Sequence, residues 1–245
     1  SWRYASFILG GLALAMVAVN GIFLRSDPIH CGVQPWGTVR DSIDRNNGDK
    51  APAKRIPMIY LIKNSRFWLI GFSYFAIASS LYGITTFMVD YARYQLNLPL
   101  GKASFLATIH GISQIIGVLT VLPLSDYLGR KRTVIISNAI ISVCLASLLL
   151  VGESWGMLSL VIGCLAVFYG PTFPIYGACA GDYFPREIMA TVIGAWTPFY
   201  GLGAILTHWI TGMLRDTTGV YHQTFFINTL MAAVATVLMC FVRKR

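Results

Sequence analysis

Seven apolar stretches dominate the sequence, each long enough to cross a hydrocarbon core of about 30 Å as a helix of roughly 20 residues. They run from Tyr4 to Leu24, Phe67 to Tyr91, Ala103 to Leu124, Thr133 to Val151, Met157 to Ala180, Thr191 to Leu214 and Phe225 to Phe241. Backbone polar groups in lipid must pair internally, and runs of this length lack the two-residue alternation of barrel strands. The fold class is therefore all-α, a polytopic membrane helical bundle. Composition rules out the soluble alternative: 56% of the 245 residues are apolar and only 12% charged. A water-soluble globule of even ~300 residues buries only about 75% of the surface its unfolded chain exposes, too little to hide such a chain. The lipid bilayer is the expected surroundings. The net charge of +9 follows from membrane orientation, and no nucleic acid is expected as a partner.

Lys and Arg set that orientation. With the C-terminus inside, the inner side collects Arg25, Arg40, Arg45, Lys50, Lys54, Arg55, Lys63 and Arg66, then Arg130, Lys131 and Arg132, then Arg186, and finally Arg243, Lys244 and Arg245. The outer side keeps Arg3, Arg93, Lys102 and Arg215. The expectation is a multi-pass protein of the cell membrane with a cytoplasmic C-terminus. Seven spans then put the N-terminus outside without a cleavable signal, which predicts a piece of a longer polytopic chain. Residues 1–24 read as one transmembrane helix, 25–66 as a cytoplasmic linker rich in Asp, Asn, Lys, Arg and Pro, 67–242 as a six-helix bundle, and 243–245 as a cytoplasmic tail.

The six helices divide into two triplets of similar length, Phe67 to Val151 and Met157 to Phe241. Three is odd, so the second triplet is inverted relative to the first, the arrangement of a 3+3 inverted repeat. Cys144, Cys164, Cys179 and Cys240 lie in apolar runs and Cys31 in the linker. No disulfide, metal site or cofactor is expected from them.

Between the second and third of the six helices stands Leu124-Ser125-Asp126-Tyr127-Leu128-Gly129-Arg130-Lys131-Arg132. This resembles the loop signature that the major facilitator superfamily carries between its eighth and ninth helices, although the leading Gly is absent and Tyr127 replaces the usual Arg. Trp2-Arg3-Tyr4 before a helix ending in Leu24-Arg25-Ser26-Asp27-Pro28 is similar to the sixth helix of that family. Asp182-Tyr183-Phe184-Pro185-Arg186 followed by Ala190-Thr191-Val192-Ile193-Gly194 is similar to its link between helices ten and eleven. The resemblance implies helices six to twelve of a twelve-helix secondary transporter, working by alternating access with an N-terminal half as partner.

Two readings of the loop stand side by side. Basic residues at an inner helix end satisfy the orientation rule and attract anionic headgroups. Alternatively Asp126, Gly129, Arg130 and Lys131 form a gate latch, with Arg130 pairing to Asp182 or Glu187 of the neighbouring cytoplasmic loop.

No Lys or Arg lies mid-helix in any span. Helix eight instead carries His110 with Gln114 one turn on, and helix eleven carries His208, each roughly 10 Å from the outer end by helical rise. By resemblance both helices line the central cavity, where imidazoles bind a carboxylate or carry a coupling proton. The competing reading is neutral, hydrogen-bonded packing. Tyr82, Thr85 and Thr86 on helix seven supply uncharged hydrogen-bonding groups. Asp90 nearby is read as solvated or paired with Arg93, with a proton relay as the alternative.

Helix ten contains Pro171 and Pro174 with Gly170, and helix eleven contains Pro198 with Gly201 and Gly203. Both spans are expected to be kinked or locally unwound, as gating elements or as packing adjustments. Tyr169, Tyr176, Trp196 and Tyr200 flank these points as candidate substrate contacts. Gly177 and Gly181 are read as close helix-packing positions, and Asn20, Asn138 and Asn228 as interhelical hydrogen-bonders.

The expected function is secondary active transport of a small organic solute, with a carboxylate among the candidates, by proton-coupled symport or antiport. A non-transporting receptor or scaffold and a drug-efflux carrier are the alternatives. Nothing resembles a phosphate-binding loop or a paired catalytic constellation, so the chain does not read as an enzyme.

Overall fold

The computed structural model describes residues 2–23, 59–152 and 154–243, and all its regular elements there are helical. Residues 25–58 of the expected linker, Cys31 among them, and 244–245 of the expected tail lie outside the described residues.

The chain forms two units. In the first, α1 (Trp2–Phe23) has 22 residues, about 33 Å of helix at 1.5 Å per residue and enough to cross a bilayer. The second holds α2 (Ile59–Ile62), α3 (Ser65–Thr85), α4 (Met88–Asp90), a π-helical turn (Tyr91–Gln95), α5 (Leu100–Leu128), α6 (Arg130–Leu148), α7 (Trp155–Tyr169), α8 (Thr172–Tyr183), α9 (Arg186–Thr218) and α10 (His222–Phe241). Among the described residues, seven segments are long and apolar enough to span a membrane.

Local chemistry sets the ends of these helices. Asn64 caps α3, its Oδ1 accepting from the Arg66 amide at 3.0 Å, so the first bundle helix takes in the last two residues of the expected linker. The short helix α2 also occupies residues assigned to the linker. Ser154 caps α7. Gly219 ends α9 in the left-handed conformation, at φ 72°. Between α5 and α6 the chain turns on one residue, Gly129, at φ 89°. A side chain there would be strained, so the glycine of the loop signature is required by the turn itself.

Chain direction inverts the two triplets. α3, α5 and α6 start at the basic, opposite and basic ends in turn, whereas α7 with α8, α9 and α10 start at the opposite, basic and opposite ends. Packing follows the same exchange. α3 packs chiefly on α9 and α10, α7 packs on α5 and α6, and α6 pairs with α10. Swapping the triplets converts the first pair of interfaces into the second and returns the α6–α10 interface to itself, as a 3+3 inverted repeat requires.

Ile70, Ile77, Leu81, Ile141, Leu145 and Leu158 fill the interior, while Phe72, Ile112, Leu119, Val143, Leu160 and Ile205 point outward. Lipid tails are as apolar as those outward side chains, so close contact and polar ties must hold the helices together. One tie is central. Tyr176 Oη lies 2.7 Å from Ser73 Oγ and accepts from Asn138 Nδ2 at 2.9 Å, and Ser73 Oγ donates to the Ala235 carbonyl at 2.9 Å. Four helices meet on that network. Close contact comes from Gly117 and Gly170, whose missing side chains admit the Val167 and Gln114 carbonyls respectively. Gly177, expected to serve this purpose, faces open space, and a methyl group added at Gly181 would meet the flexible Met189 side chain, with Sδ at 3.2 Å, before any backbone.

The expected break in the Met157 to Ala180 span is present, since Gly170 and Pro171 separate α7 from α8. Pro174 falls in the first turn of α8, where a missing N–H costs no hydrogen bond. The Thr191 to Leu214 span is not unwound: α9 runs unbroken through Pro198 for 33 residues. Neighbouring helices can hold such a turn together despite the lost donor.

Candidate functional site

One group of aromatic and hydroxyl side chains joins α3, α7, α8 and α9. Tyr74 stacks between Tyr176 and Tyr200, with ring centroids 4.7 and 4.6 Å away. Tyr200 meets Tyr82 at 5.7 Å and Phe173 at 6.1 Å. Tyr82 in turn meets His208 at 5.6 Å. Tyr169 has Tyr82, Thr85 and Tyr200 as polar neighbours. Tyr82, Thr85, Tyr169, Tyr200 and His208 are half-buried and Thr86 is exposed, so this group forms a face of the bundle.

The two histidines keep separate partners. His208 Nδ1 lies 2.6 Å from the Ala204 carbonyl, and its Nε2 lies 2.6 Å from Thr86 Oγ1. His110 is buried beside the Tyr169 ring at 5.3 Å, and Gln114 Nε2 donates to its Nδ1 at 3.0 Å. An amide nitrogen only donates, so the neutral His110 ring carries its proton on Nε2.

The structure removes two candidates from this face. Tyr176 and Trp196 are each 1% exposed. Tyr176 is consumed by the four-helix network, and Trp196 donates to the Phe67 carbonyl at 3.0 Å while stacking on that ring. Both resemble site residues because they flank Pro and Gly, yet their helical phase turns them inward. Sequence reasoning misses Tyr74, a buried ring that supports the face by packing on Tyr200 and does not itself lie on it. It lies eight residues before Tyr82, a spacing that keeps both on one side of a helix and is the signal that could have found it.

At the basic end Arg130 bridges two helices. Its guanidinium lies 3.2 Å from Asp182 Oδ1 and 3.6 Å from Asp126 Oδ1, and it donates to the Ala178 carbonyl at 3.1 Å. Lys131 Nζ donates to the Cys240 carbonyl at 3.1 Å, closing the C-terminal end of α10. The Glu187 side chain lies outside the described residues.

At the opposite end Asp90 pairs with Arg215 at 3.4 Å and accepts from the Tyr221 hydroxyl. Its expected partner Arg93 lies over the Tyr94 ring instead, at 5.5 Å. Spacing misleads here because the π turn starting at Tyr91 breaks the α-helical register that would bring Arg93 back to Asp90. Burial, and then the bond to Asp90, pushes the Tyr221 hydroxyl up to about 12.

Chemically, the half-exposed face offers hydroxyls, one imidazole and aromatic rings, with the buried His110 beside Tyr169. Among the described residues it contains no carboxylate, ammonium or guanidinium. Such a surface suits hydroxyl-rich solutes, whose O–H groups find partners while their C–H faces lie on rings.

Comparison with known proteins agrees with the fold. The Major Facilitator Superfamily model matches residues 70–245. The D-galactonate transporter of Escherichia coli is 23% identical over 98% of this chain and 59% of its own length. The hexuronate transporter of Bacillus subtilis is 25% identical over 83% of this chain and 50% of its own. In three dimensions the E. coli fucose:proton symporter FucP superposes with a TM-score of 0.65 at 14% identity, over 82% of this chain and 47% of its own. The chain thus spans about half the length of the relatives it matches. Its seven membrane-length helices, its inverted triplets and the match over residues 70–245 make this chain a member of the major facilitator superfamily.

Proposed function

We propose that this chain forms the C-terminal half of a secondary transporter for a small, hydroxyl-rich organic acid. In this reading it pairs with an N-terminal six-helix half, lies in the cell membrane with its C-terminus in the cytoplasm, and works by alternating access. The observation that carries the reading is the half-exposed face of Tyr82, Thr85, Thr86, Tyr169, Tyr200 and His208. Two relatives named for galactonate and hexuronate support the substrate class.

Proton coupling rests on the imidazoles. His208 is half-buried, hydrogen-bonded at both ring nitrogens and beside the hydroxyl face. Protonation there supplies a positive charge for a substrate carboxylate on a face that, among the described residues, has no Lys or Arg. His110 with Gln114 is the second candidate. The break at Gly170 and Pro171, with the continuous Pro198 helix beside it, supplies the moving wall. The Arg130 bridge to Asp182 and Asp126 is the cytoplasmic latch.

The test is uptake of radiolabelled hexuronate and galactonate by cells expressing the chain together with its N-terminal half. Saturable uptake that rises with an inward proton gradient and falls when a protonophore collapses it is the expected outcome. Gradient-independent uptake would remove the coupling, and absence of uptake for every hydroxy acid would remove the substrate class. The isolated chain in proteoliposomes is expected to give no flux, because one half supplies one wall of the cleft.

A further inference from the structure

The two triplets share more than their chain direction. Asp126-Tyr127-Leu128-Gly129 ends α5 and Asp216-Thr217-Thr218-Gly219 ends α9, one Asp-x-x-Gly pattern closing the second helix of each triplet. Gly129 and Gly219 are the only glycines with positive φ among the described residues, so the two turns into the third helix are made alike. The first helix of each triplet carries an Asp-Tyr pair near its end: Asp90-Tyr91, where α4 passes into the π turn, and Asp182-Tyr183, which closes α8.

Both patterns meet on one arginine at each end of the bundle. At the basic end Arg130, just after Gly129, lies 3.6 Å from Asp126 and 3.2 Å from Asp182. At the opposite end Arg215, four residues before Gly219, lies 3.7 Å from Asp216 and 3.4 Å from Asp90. Each guanidinium joins the Asp of its own turn to the Asp of the first helix. The arginine sits on opposite sides of the glycine in the two triplets, yet the bridge is the same. Each bridge also has a neutral tie. Arg130 bonds to the Ala178 carbonyl of α8, while at the other end Tyr221 donates its hydroxyl to Asp90 and its amide to Gln95 Oε1 at 2.8 Å. The π turn is thereby fastened to the start of α10.

We infer that the Arg215 bridge is a second latch, the inverted-repeat counterpart of the proposed Arg130 latch, and that it holds the outer end of the carrier closed. The inference rests on the alternating-access reading above. Exchanging the triplets exchanges the two membrane faces, and with them the inward-open and outward-open states. Equivalent ties at the two ends therefore bias that equilibrium in opposite senses. The Arg130 bridge favours the state closed to the cytoplasm, and the Arg215 bridge the state closed to the outside. A partly exposed ion pair shifts an equilibrium by only a few-fold, which tilts two states near balance and still lets each latch open once per cycle.

The experiment measures which side of the membrane reaches the candidate face. The chain, its five native cysteines replaced, is expressed with its N-terminal half and given one reporter, Thr85→Cys, on that face. A membrane-impermeant maleimide is applied to right-side-out and to inverted vesicles, and the ratio of outside to inside labelling rates is read. Arg215→Gln is expected to raise that ratio by about threefold, and Arg130→Gln to lower it by about the same factor. Asp90→Asn breaks the outer bridge from its other side while leaving Tyr221 an acceptor, so it is expected to match Arg215→Gln and carries the test if the arginine variant fails to fold. A ratio that Arg130→Gln lowers but Arg215→Gln and Asp90→Asn leave unchanged, or also lower, overturns the second latch and leaves the transport reading standing. A ratio unmoved by all three variants overturns both latches. Labelling from one side only in every variant removes alternating access itself, and this inference with it.

Discussion

Thr86 Oγ1 lies 2.6 Å from His208 Nε2, while Nδ1 of the same ring lies 2.6 Å from the Ala204 carbonyl. A carbonyl only accepts, so Nδ1 carries a proton and Nε2 of the neutral ring accepts from the Thr86 hydroxyl. Protonation reverses the second bond: Nε2 then donates and Thr86 Oγ1 accepts, turning the threonine hydrogen elsewhere. On the proposed coupling, a proton arriving at α9 thereby changes what α3 offers to a ligand on the same face.

His208→Ala removes both the charge and the partner. Its expected effect is a loss of uptake of about tenfold or more, the scale of a hydrogen bond to a charged group, together with a flattened dependence on external pH. Thr86→Val keeps the imidazole, so uptake is expected to fall by only a few-fold with the pH dependence preserved. Labelled hexuronate uptake at two external pH values separates these outcomes. An unchanged pH dependence in His208→Ala would exclude the ring as a coupling group.

The proposed latch yields a ranking. Arg130 is closer to Asp182 than to Asp126 and also bonds to the Ala178 carbonyl on the Asp182 helix, while the Asp126 side chain is 67% exposed. Exposed pairs are worth about 0–1 kcal/mol, partly buried bridges more. Asp182→Asn is expected to slow the maximal transport rate more than Asp126→Asn, with substrate affinity nearly unchanged in both. Measuring rate and affinity in the two variants checks the order, and equal rates in both would argue that the bridge is merely surface charge.

Packing of the second helix triplet on the first makes a prediction about stability alone. A methyl group at Gly117 would collide with the Val167 carbonyl, and one at Gly170 with the Gln114 carbonyl, so each glycine admits the backbone of the other helix. Backbone cannot move aside as a side chain can. Gly117→Ala and Gly170→Ala are each expected to cost about 2 kcal/mol, lowering the melting temperature by roughly 4–8 °C. Gly177→Ala and Gly111→Ala, which meet open space, are expected to leave it unchanged. Thermal unfolding of the four variants in one detergent tests the contrast.

Membrane spans and the sharp Gly129 turn are legible in sequence because each follows from a strong local constraint: span length and a forbidden backbone angle. Glycine packing is not. Gly177 and Gly117 look alike in sequence, and which one meets another backbone depends on helical phase against a distant partner. The same limit applies to Tyr176 and Trp196, which turn inward. Proximity along the chain assigns Asp90 to Arg93, whereas Arg215 reaches it from 125 positions away, across a π turn that sequence periodicity does not announce. Residue type at the candidate site is readable from sequence, and side-chain partnership is not.

The Asp90 cluster carries a pH prediction of definite sign. Tyr221 is 2% exposed and donates to Asp90, so its hydroxyl is pushed up to about 12 from the ordinary value near 10. The folded state therefore holds this proton more tightly than the unfolded chain. Between about pH 10 and 12 the unfolded state has released it while the folded state retains it, so stability falls as pH rises through that window and is fully present below it. Other tyrosines contribute to alkaline unfolding too, which makes the difference between variants the informative quantity. Tyr221→Phe is expected to show a shallower loss of melting temperature between about pH 10 and 12 than the parent chain, because the group that titrates there is gone. Asp90→Asn removes the neighbouring negative charge, brings the folded-state value closer to the ordinary one, and is expected to end the decline at lower pH and make it smaller. Parallel melting curves for parent and Tyr221→Phe chains across that range would contradict the assignment.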